Sequence, residues 1–102
     1  MYKVKMTLSA QNDLSNITSF IFLDSGDKDQ ALDYLSKIEK TILSLKQFPN
    51  RGSIPRYRLL VLQGYRFLVV ESHLIFYKIN EVSKEVIVYR ILHSKQSYHR
   101  FL

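Results

Sequence analysis

Polar and apolar residues alternate at the start of the chain and then follow a helical period. Residues 2–8 alternate between the two kinds of side chain, which is the period of a half-buried β-strand. Leu14, Ile17 and Ile21 then fall on one helical face, and Ser9 is expected to be the N-cap of that helix. The chain should therefore begin with a strand that leads into an amphipathic helix.

A second amphipathic helix follows the break at residues 24–27, where Asp, Ser and Gly end one helix and start another. Its apolar positions recur at spacings of four and three and end near Lys46; they are Ala31, Leu35, Ile38, Ile42 and Leu45. The short connection predicts that the two helices form an antiparallel hairpin.

The second half of the chain has the pattern of a β-meander. Pro and Gly are frequent in residues 48–55, which predicts a loop. Apolar and aromatic runs separated by short breaks then follow: Leu59–Leu62, Tyr65–Glu71, Leu74–Ile79 and Val86–Leu92. We therefore expect one α+β domain over residues 1–102, with an N-terminal strand, a two-helix hairpin and a mainly antiparallel meander of three to four strands.

The last strand is apolar on both of its faces. Strict alternation would place Val86, Val88, Arg90 and Leu92 on one face, and Ile87, Tyr89 and Ile91 on the other. Because a helix hairpin covers only one face of a sheet, the other face should be closed by the C-terminal tail, by curvature or by a partner.

Composition narrows the class of protein. Of the 102 residues, 46% are apolar and none is Cys, so we expect a modest core without disulfides, thiol nucleophiles or Cys-based zinc sites. No segment has the length of a transmembrane helix and no signal peptide is present, so we expect a cytoplasmic protein without membrane contact.

Charge is distributed unevenly between the halves. Residues 1–50 contain six Lys and Arg against six Asp and Glu, whereas residues 51–102 contain nine against three, which accounts for the whole net charge of +6. A one-signed field on part of a small domain favours a polyanion or an acidic protein as partner. The alternative is a basic surface that only maintains solubility.

Two strand arginines are candidates for anion binding. Arg66 lies beside Leu68 and Val70 on its strand, and Arg90 has similarly apolar neighbours. A guanidinium group is costly to desolvate among apolar groups unless something negative meets it. A phosphate clamp explains each arginine as well as the alternative does, which is an internal ion pair with Glu71, Glu81 or Glu85 or a side chain that reaches water from the end of its strand.

Two residues near the C-terminus could exchange protons. His93 follows the last strand, and Tyr98 offers a hydroxyl or a face on which a base can stack. Together with Arg66 and Arg90 they would suffice for metal-independent RNA cleavage through attack by a ribose 2′-hydroxyl. The alternatives are a capping or packing role for His93 and an aromatic packing role for Tyr98. The three His residues lack metal-ligand spacing, so we expect neither a metal nor a cofactor.

Five segments in this order resemble the RelE/ParE superfamily of bacterial type II toxins over essentially the full length of the chain. They read YKVKMTLSAQNDLSNI, LKQFPNRG, GYRFLVV, SHLIFYKI and VIVYRILHSKQSY. The resemblance implies a toxin encoded beside an acidic antitoxin that wraps and neutralises it in a hetero-oligomer. An acidic antitoxin would agree with the basic second half of the chain.

The resemblance also implies two classes of target. RelE-like members cut mRNA in the ribosomal A site, whereas ParE-like members poison DNA gyrase without a hydrolytic site. Arg66 matches an Arg of the RelE-like enzymes, while His93 and Tyr98 lie where several such enzymes place a His or Tyr, and Arg90 completes the expected catalytic set. The residues expected to contact RNA are Arg51, Arg56, Arg58, Lys95 and Arg100.

The segments SHLIFYKI and RILHS are more similar in sequence to the ParE branch. The combination of Arg, His and Tyr on a basic surface favours ribosome-dependent mRNA cleavage. A ParE-like gyrase poison is the alternative.

Overall fold

The computed structural model describes all residues from 1 to 102 and contains four strands and three α-helices. The elements in chain order are β1 (Lys3–Met6), α1 (Leu8–Ser25), α2 (Lys28–Leu43), α3 (Arg58–Leu62), β2 (Arg66–Val70), β3 (His73–Asn80) and β4 (Glu85–His93). Short 3₁₀ turns lie at Ser44–Lys46, Pro49–Arg51 and Tyr98–Arg100.

The four strands form one sheet in the order β1-β4-β3-β2. The meander β2-β3-β4 is antiparallel, while β1 pairs in parallel with β4. The expected α+β architecture with a helix hairpin after the first strand is therefore confirmed. The meander has three strands, because the run Leu59–Leu62 is helical: the carbonyl of Tyr57 accepts hydrogen bonds from the N–H groups of Leu60 and Val61. A short apolar run does not distinguish strand from helix by periodicity.

The helix hairpin is defined by its caps. Thr7, and not Ser9 as expected, caps α1 by accepting a hydrogen bond from the N–H of Ala10 at 3.1 Å. Gly26 ends that helix with a φ of 68°, a conformation that suits glycine. Asp27 caps α2 by accepting hydrogen bonds from two backbone N–H groups of its first turn.

Apolar clusters lie on both faces of the sheet. The helix hairpin packs on one face and encloses a cluster of eleven buried residues that includes Ile38, Ile75 and Tyr77. The other face has five buried residues, namely Leu60, Tyr65, Leu74, Phe76 and Leu92. Tyr98 and Leu102 pack against this second cluster. Helix α3 and the C-terminal tail therefore cover the face that the hairpin leaves open.

A β-bulge in β4 changes which residues share a face. Phe76 is paired with Arg90 and Tyr77 with Val88, so Tyr89 is the extra residue. After the bulge the alternation is reversed: Ile91 joins the helix-side cluster, and Leu92 joins the opposite one. The expectation that Leu92 shares a face with Val88 was therefore wrong.

None of the helices combines the length and the apolar character that a bilayer crossing requires.

Candidate functional site

Arg66 and Tyr77 hold the loop that follows the helix hairpin. The Tyr77 hydroxyl donates to the carbonyl of Pro49 at 2.7 Å and accepts from the N–H of Gly52 at 2.9 Å. Arg66, paired opposite Tyr77 in the sheet, donates from Nη1 to the Gly52 carbonyl at 3.0 Å. Burial is the largest influence on the Tyr77 hydroxyl and raises its pKa. Arg66 thus contacts backbone carbonyls and has no carboxylate partner.

Arg90 is held in an ion pair with Asp13 of α1. Its Nε and Nη2 donate to the two carboxylate oxygens at 2.7 and 2.8 Å. Hydrogen bonding to Asp13 is the main cause that raises the pKa of Arg90 further. The ion-pair alternative therefore describes Arg90 in this structure, with Asp13 as the partner and not Glu71, Glu81 or Glu85. Sequence reasoning missed Asp13 because 77 residues separate the two side chains.

The rings of Tyr34, His73 and His93 form a row between the sheet and the helix hairpin, and His93 lies at the end of this row. The Tyr34 hydroxyl lies 2.6 Å from Nδ1 of His73, and the rings of His73 and His93 are 5.3 Å apart. Burial, followed by the charge of His93, lowers the pKa of His73. Nδ1 of His93 accepts from the N–H of Lys95 at 3.1 Å, so only Nε2 is free for proton exchange.

Tyr98 lies on the opposite face of the sheet from His93. Its ring is 4.9 Å from Phe76 of the second cluster and 5.4 Å from Tyr57, which it meets edge to face. Tyr57 also faces His99 at 4.4 Å between ring centroids. The Tyr98 ring therefore packs between the sheet and the segment before α3.

The four residues expected to form one catalytic set are separated in the structure. Arg66 lies opposite Tyr77 and His93 lies opposite His73, so four residues of β3, about 13 Å, separate their positions along the strand. Tyr98 lies on the opposite face of the sheet from His93. Arg90 and His93 line a common cleft of about 300 Å³, and there Arg90 is already paired with Asp13.

The five residues expected to contact RNA are all exposed, but they lie in separate parts of the surface. Arg51 donates to Ser44 Oγ at 2.6 Å beside the end of the hairpin, and Lys95 lies in the turn after β4. Arg56 and Arg58 flank Tyr57, and Arg100 adjoins His99. The contact between the rings of Tyr57 and His99 therefore brings three of the five arginine and lysine residues to one region.

A groove with a volume of about 890 Å³ lies between the tip of the hairpin and the β2-β3 turn. Acidic side chains outnumber basic ones on its walls: it contains Asp27, Asp29, Asp33 and Glu71 but only one lysine, Lys37. The three rings Tyr34, His73 and His93 line its floor. Sequence reasoning did not bring Tyr34 and His73 together, because their contact depends on the hairpin packing on the sheet.

A second feature without a sequence signal is the ammonium group of Lys78. It lies 4.5 Å from the ring centroid of Tyr65 and 5.0 Å from that of Tyr89. Burial raises the pKa of Tyr65. The structure contains no cluster of three or more His, Cys, Asp or Glu side chains that could hold a metal ion.

Comparison with known structures shows a shared fold. The chain superposes on a chain of the chromosomal ParDE toxin–antitoxin system from P. aeruginosa with a TM-score of 0.76 and 24% identity, covering 93% of this chain and 98% of that one. For a chain of the RelBE2 toxin–antitoxin complex from Mycobacterium tuberculosis the TM-score is 0.65 at 21% identity, with coverages of 90% and 96%. Comparison with curated protein sequences found no match.

The family is shown by the sequence itself. The model of the family described as "ParE toxin of type II toxin-antitoxin system, parDE" matches residues 4–98, from the first strand to the C-terminal turn. This match includes the sheet, the helix hairpin and the loop held by Tyr77. The chain belongs to the ParE toxin family of type II toxin–antitoxin systems, within the RelE/ParE superfamily.

Proposed function

We propose that this toxin inhibits growth by binding DNA gyrase, without hydrolysing a substrate, and that a cognate antitoxin neutralises it. One observation carries the choice of target: the residues expected to cleave RNA lie on two faces of the sheet, and the positions of Arg66 and His93 are four residues of β3, about 13 Å, apart along that strand. Proton transfer to a single phosphate requires a base and an acid within hydrogen-bond reach of the same atoms. Membership of the ParE branch supports the same target.

The ion pair of Arg90 supports a binding mechanism further. A guanidinium group that donates to both oxygens of Asp13 must lose that partner before it can clamp a phosphate. Breaking a partly buried ion pair leaves Asp13 unpaired, which is unfavourable. In the proposed mechanism Arg90 positions α1 against β4 and does not contact a substrate.

The antitoxin partner is supported by charge and by exposed apolar side chains. All the excess positive charge lies in residues 51–102. Large apolar side chains are exposed on α1 and α3; Phe20, Leu23, Leu59 and Leu62 are each at least 65% exposed. An acidic antitoxin with apolar anchors would complement both features, and the two similar structures come from toxin–antitoxin systems.

The target is tested by inducing the chain alone and following pulse-labelled DNA and protein synthesis. Early loss of DNA synthesis, together with inhibition of supercoiling when the purified protein is added to gyrase, is the expected result. Early loss of protein synthesis with gyrase unaffected would instead indicate mRNA cleavage and overturn the proposal. Co-expression of a short acidic reading frame adjacent to this one should restore growth.

Two substitutions test directly whether the toxin acts by general acid–base catalysis. Tyr98→Phe and His93→Gln remove the groups expected to transfer protons while they keep a ring and a hydrogen-bonding side chain. Both variants should remain as toxic as the wild type, provided that circular dichroism shows the same fold. A hundredfold or larger loss of toxicity in a folded variant would favour general acid–base catalysis.

A further inference from the structure

We propose that His93 is a proton-sensitive latch for the C-terminal tail: its neutral ring holds the turn from which the tail starts, and protonation of the ring loosens the tail from the second apolar cluster. The tail is the segment of residues 97–102, which follows that turn. The inference goes beyond the proposed gyrase target, because it concerns a change within the toxin and holds whichever molecule the toxin binds.

His93 makes three hydrogen bonds that define the turn after β4. Its backbone N–H donates to the side-chain oxygen of Gln96 at 2.7 Å, and its carbonyl accepts from the N–H of Gln96 at 2.9 Å. Its ring nitrogen Nδ1 accepts from the N–H of Lys95 at 3.1 Å. A nitrogen that accepts a hydrogen bond must have a free lone pair, so the turn requires the neutral ring with its proton on Nε2.

Protonation of the ring removes the third of these bonds. An imidazolium ring carries a proton on both nitrogens, so Nδ1 becomes a donor that faces another donor, the N–H of Lys95. Lys95 is exposed, so its N–H can turn to water once the bond is lost. The turn therefore opens instead of holding two donors against each other. Histidine is the residue type whose charge ordinarily changes between about pH 5 and about pH 8.

The charged groups around His93 allow its ring to become charged. On β4 and α1, Arg90 and Asp13 neutralise each other in an ion pair. From β3, the ring of His73 lies 5.3 Å away, and burial lowers the pKa of His73, so this neighbour stays neutral and does not repel the proton. The other ionisable groups are Lys95 in the turn, the Lys37–Glu71 pair, the Tyr34 hydroxyl and three groove carboxylates without a lysine or arginine partner, namely Asp27, Asp29 and Asp33.

The tail depends on the turn because no other hydrogen bond or ion pair fixes it to the domain. Beyond Gln96, the hydrogen bonds of the tail join its residues only to one another. Tyr98 and Leu102 pack on the second cluster, and the ring of Phe101 lies 5.4 Å from the guanidinium carbon of Arg90. These contacts are not directional, so the turn sets the direction in which the tail leaves β4.

The proton binds on one face of the sheet, and its effect is expected on the other. His93 lines the groove on the helix side, whereas Tyr98 packs on the opposite face. Acidification should therefore expose part of the second cluster. The undocked population of the tail should rise about fivefold, which is the effect of losing one hydrogen bond.

A fluorescent reporter in the tail measures this change. The protein has no Trp, so Phe101→Trp provides a single reporter. Its fluorescence anisotropy should fall when the buffer is changed from about pH 7.5 to about pH 5.5, because a loosened tail moves more freely. Far-UV circular dichroism at both pH values separates this local change from unfolding of the domain.

Two substitutions of His93 in the reporter protein give opposite expectations. His93→Asn supplies a side-chain oxygen that can accept from the N–H two residues further on and that takes up no proton, so the anisotropy should stay high at both pH values. His93→Lys supplies a permanent charge and no acceptor, so the anisotropy should be low at both.

His73→Gln and His99→Gln are the matched controls. Each removes one other histidine, either the one opposite His93 in the sheet or the one within the tail. Both should keep the fall in anisotropy of the reporter protein. The proposal is overturned if the reporter protein does not respond to pH, if His93→Asn responds as strongly as the reporter protein, or if either control abolishes the response and so assigns the proton to another ring. These outcomes do not require His93→Lys to fold.

Discussion

At the scale of single residues, the packing of Tyr77 explains why position 52, in the loop after the helix hairpin, is a glycine. A Cβ atom at this position would overlap the Tyr77 hydroxyl and lie 2.8 Å from its Cε1. Tyr77 is fully buried and cannot move aside. Gly52→Ala should therefore lower the free energy of unfolding by about 1–3 kcal/mol, measured by urea unfolding followed by circular dichroism.

Asn50→Ala is the matched control, because it changes an exposed side chain two residues away in the same loop. It should unfold within about 0.5 kcal/mol of the wild type. Equal midpoints for Gly52→Ala and the wild type would show that the loop is not packed on Tyr77 in the way described.

His73 gives a second prediction for a single residue, which concerns pH. Burial and the neighbouring His93 lower the pKa of folded His73 below its ordinary value of 6.5. The unfolded chain therefore binds the proton at a higher pH than the folded protein does. Stability is then fully present above pH 6.5 and is lost as the pH falls from 6.5 through the folded pKa.

His73→Gln removes this titration, so the variant should lose less stability than the wild type between pH 7.5 and pH 5.0, as measured by urea unfolding. His99→Gln changes an exposed ring and should lose as much as the wild type. The assignment of the effect to His73 fails if His73→Gln has the same pH dependence as the wild type.

At the scale of elements, β1 is shorter than β4, so other groups must form the hydrogen bonds of the last residues of β4. Strand β1 pairs with β4 only as far as Val88, and beyond that point side chains replace its hydrogen bonds. The Thr7 hydroxyl donates to the carbonyl of Tyr89, and the Asp13 carboxylate accepts from the N–H of Ile91 at 2.9 Å while it pairs with Arg90. Helix α1 thus continues the edge of the sheet with polar side chains.

This arrangement predicts a strong coupling between Asp13 and Arg90. Asp13→Asn should cost about 2 kcal/mol of unfolding free energy, because Arg90 loses its charged partner in a partly buried position. A double-mutant cycle with Arg90→Gln should give a coupling energy of about 1 kcal/mol or more. The exposed pair Lys37–Glu71 is the control, and its cycle should give about 0.5 kcal/mol or less. Similar values for the two pairs would contradict a structural role for Asp13.

The elements were predictable from sequence to the extent that they follow a regular period. The hairpin and the strands repeat at the spacing of their own geometry, so the pattern predicted them. The sequence pattern did not indicate the bulge at Tyr89, because every residue around it is compatible with a strand. The pairing of Asp13 with Arg90 and the contact of Tyr34 with His73 depend on packing between distant segments, and a local pattern does not contain that information.

At the scale of the whole molecule, the sheet separates two apolar clusters of unequal size. The helix-side cluster has eleven buried residues, whereas the opposite one has five and depends on Tyr98 and Leu102 from the tail. A chain that ends at Ser97 should therefore remain folded around the larger cluster. It should lose about 2 kcal/mol of stability, because it loses the apolar contact that the tail makes with Phe76.

The truncated chain should unfold in one urea transition at a lower midpoint and should bind a dye that recognises exposed apolar surface more strongly than the full chain does. Tyr98→Phe is the control, since it keeps the ring on Phe76 and should match the full chain in both measurements. An unchanged midpoint in the truncated chain would mean that the tail does not close the second face. Complete unfolding would mean that the two clusters form only together, and that the helix hairpin and the strand β1 do not suffice to hold the sheet.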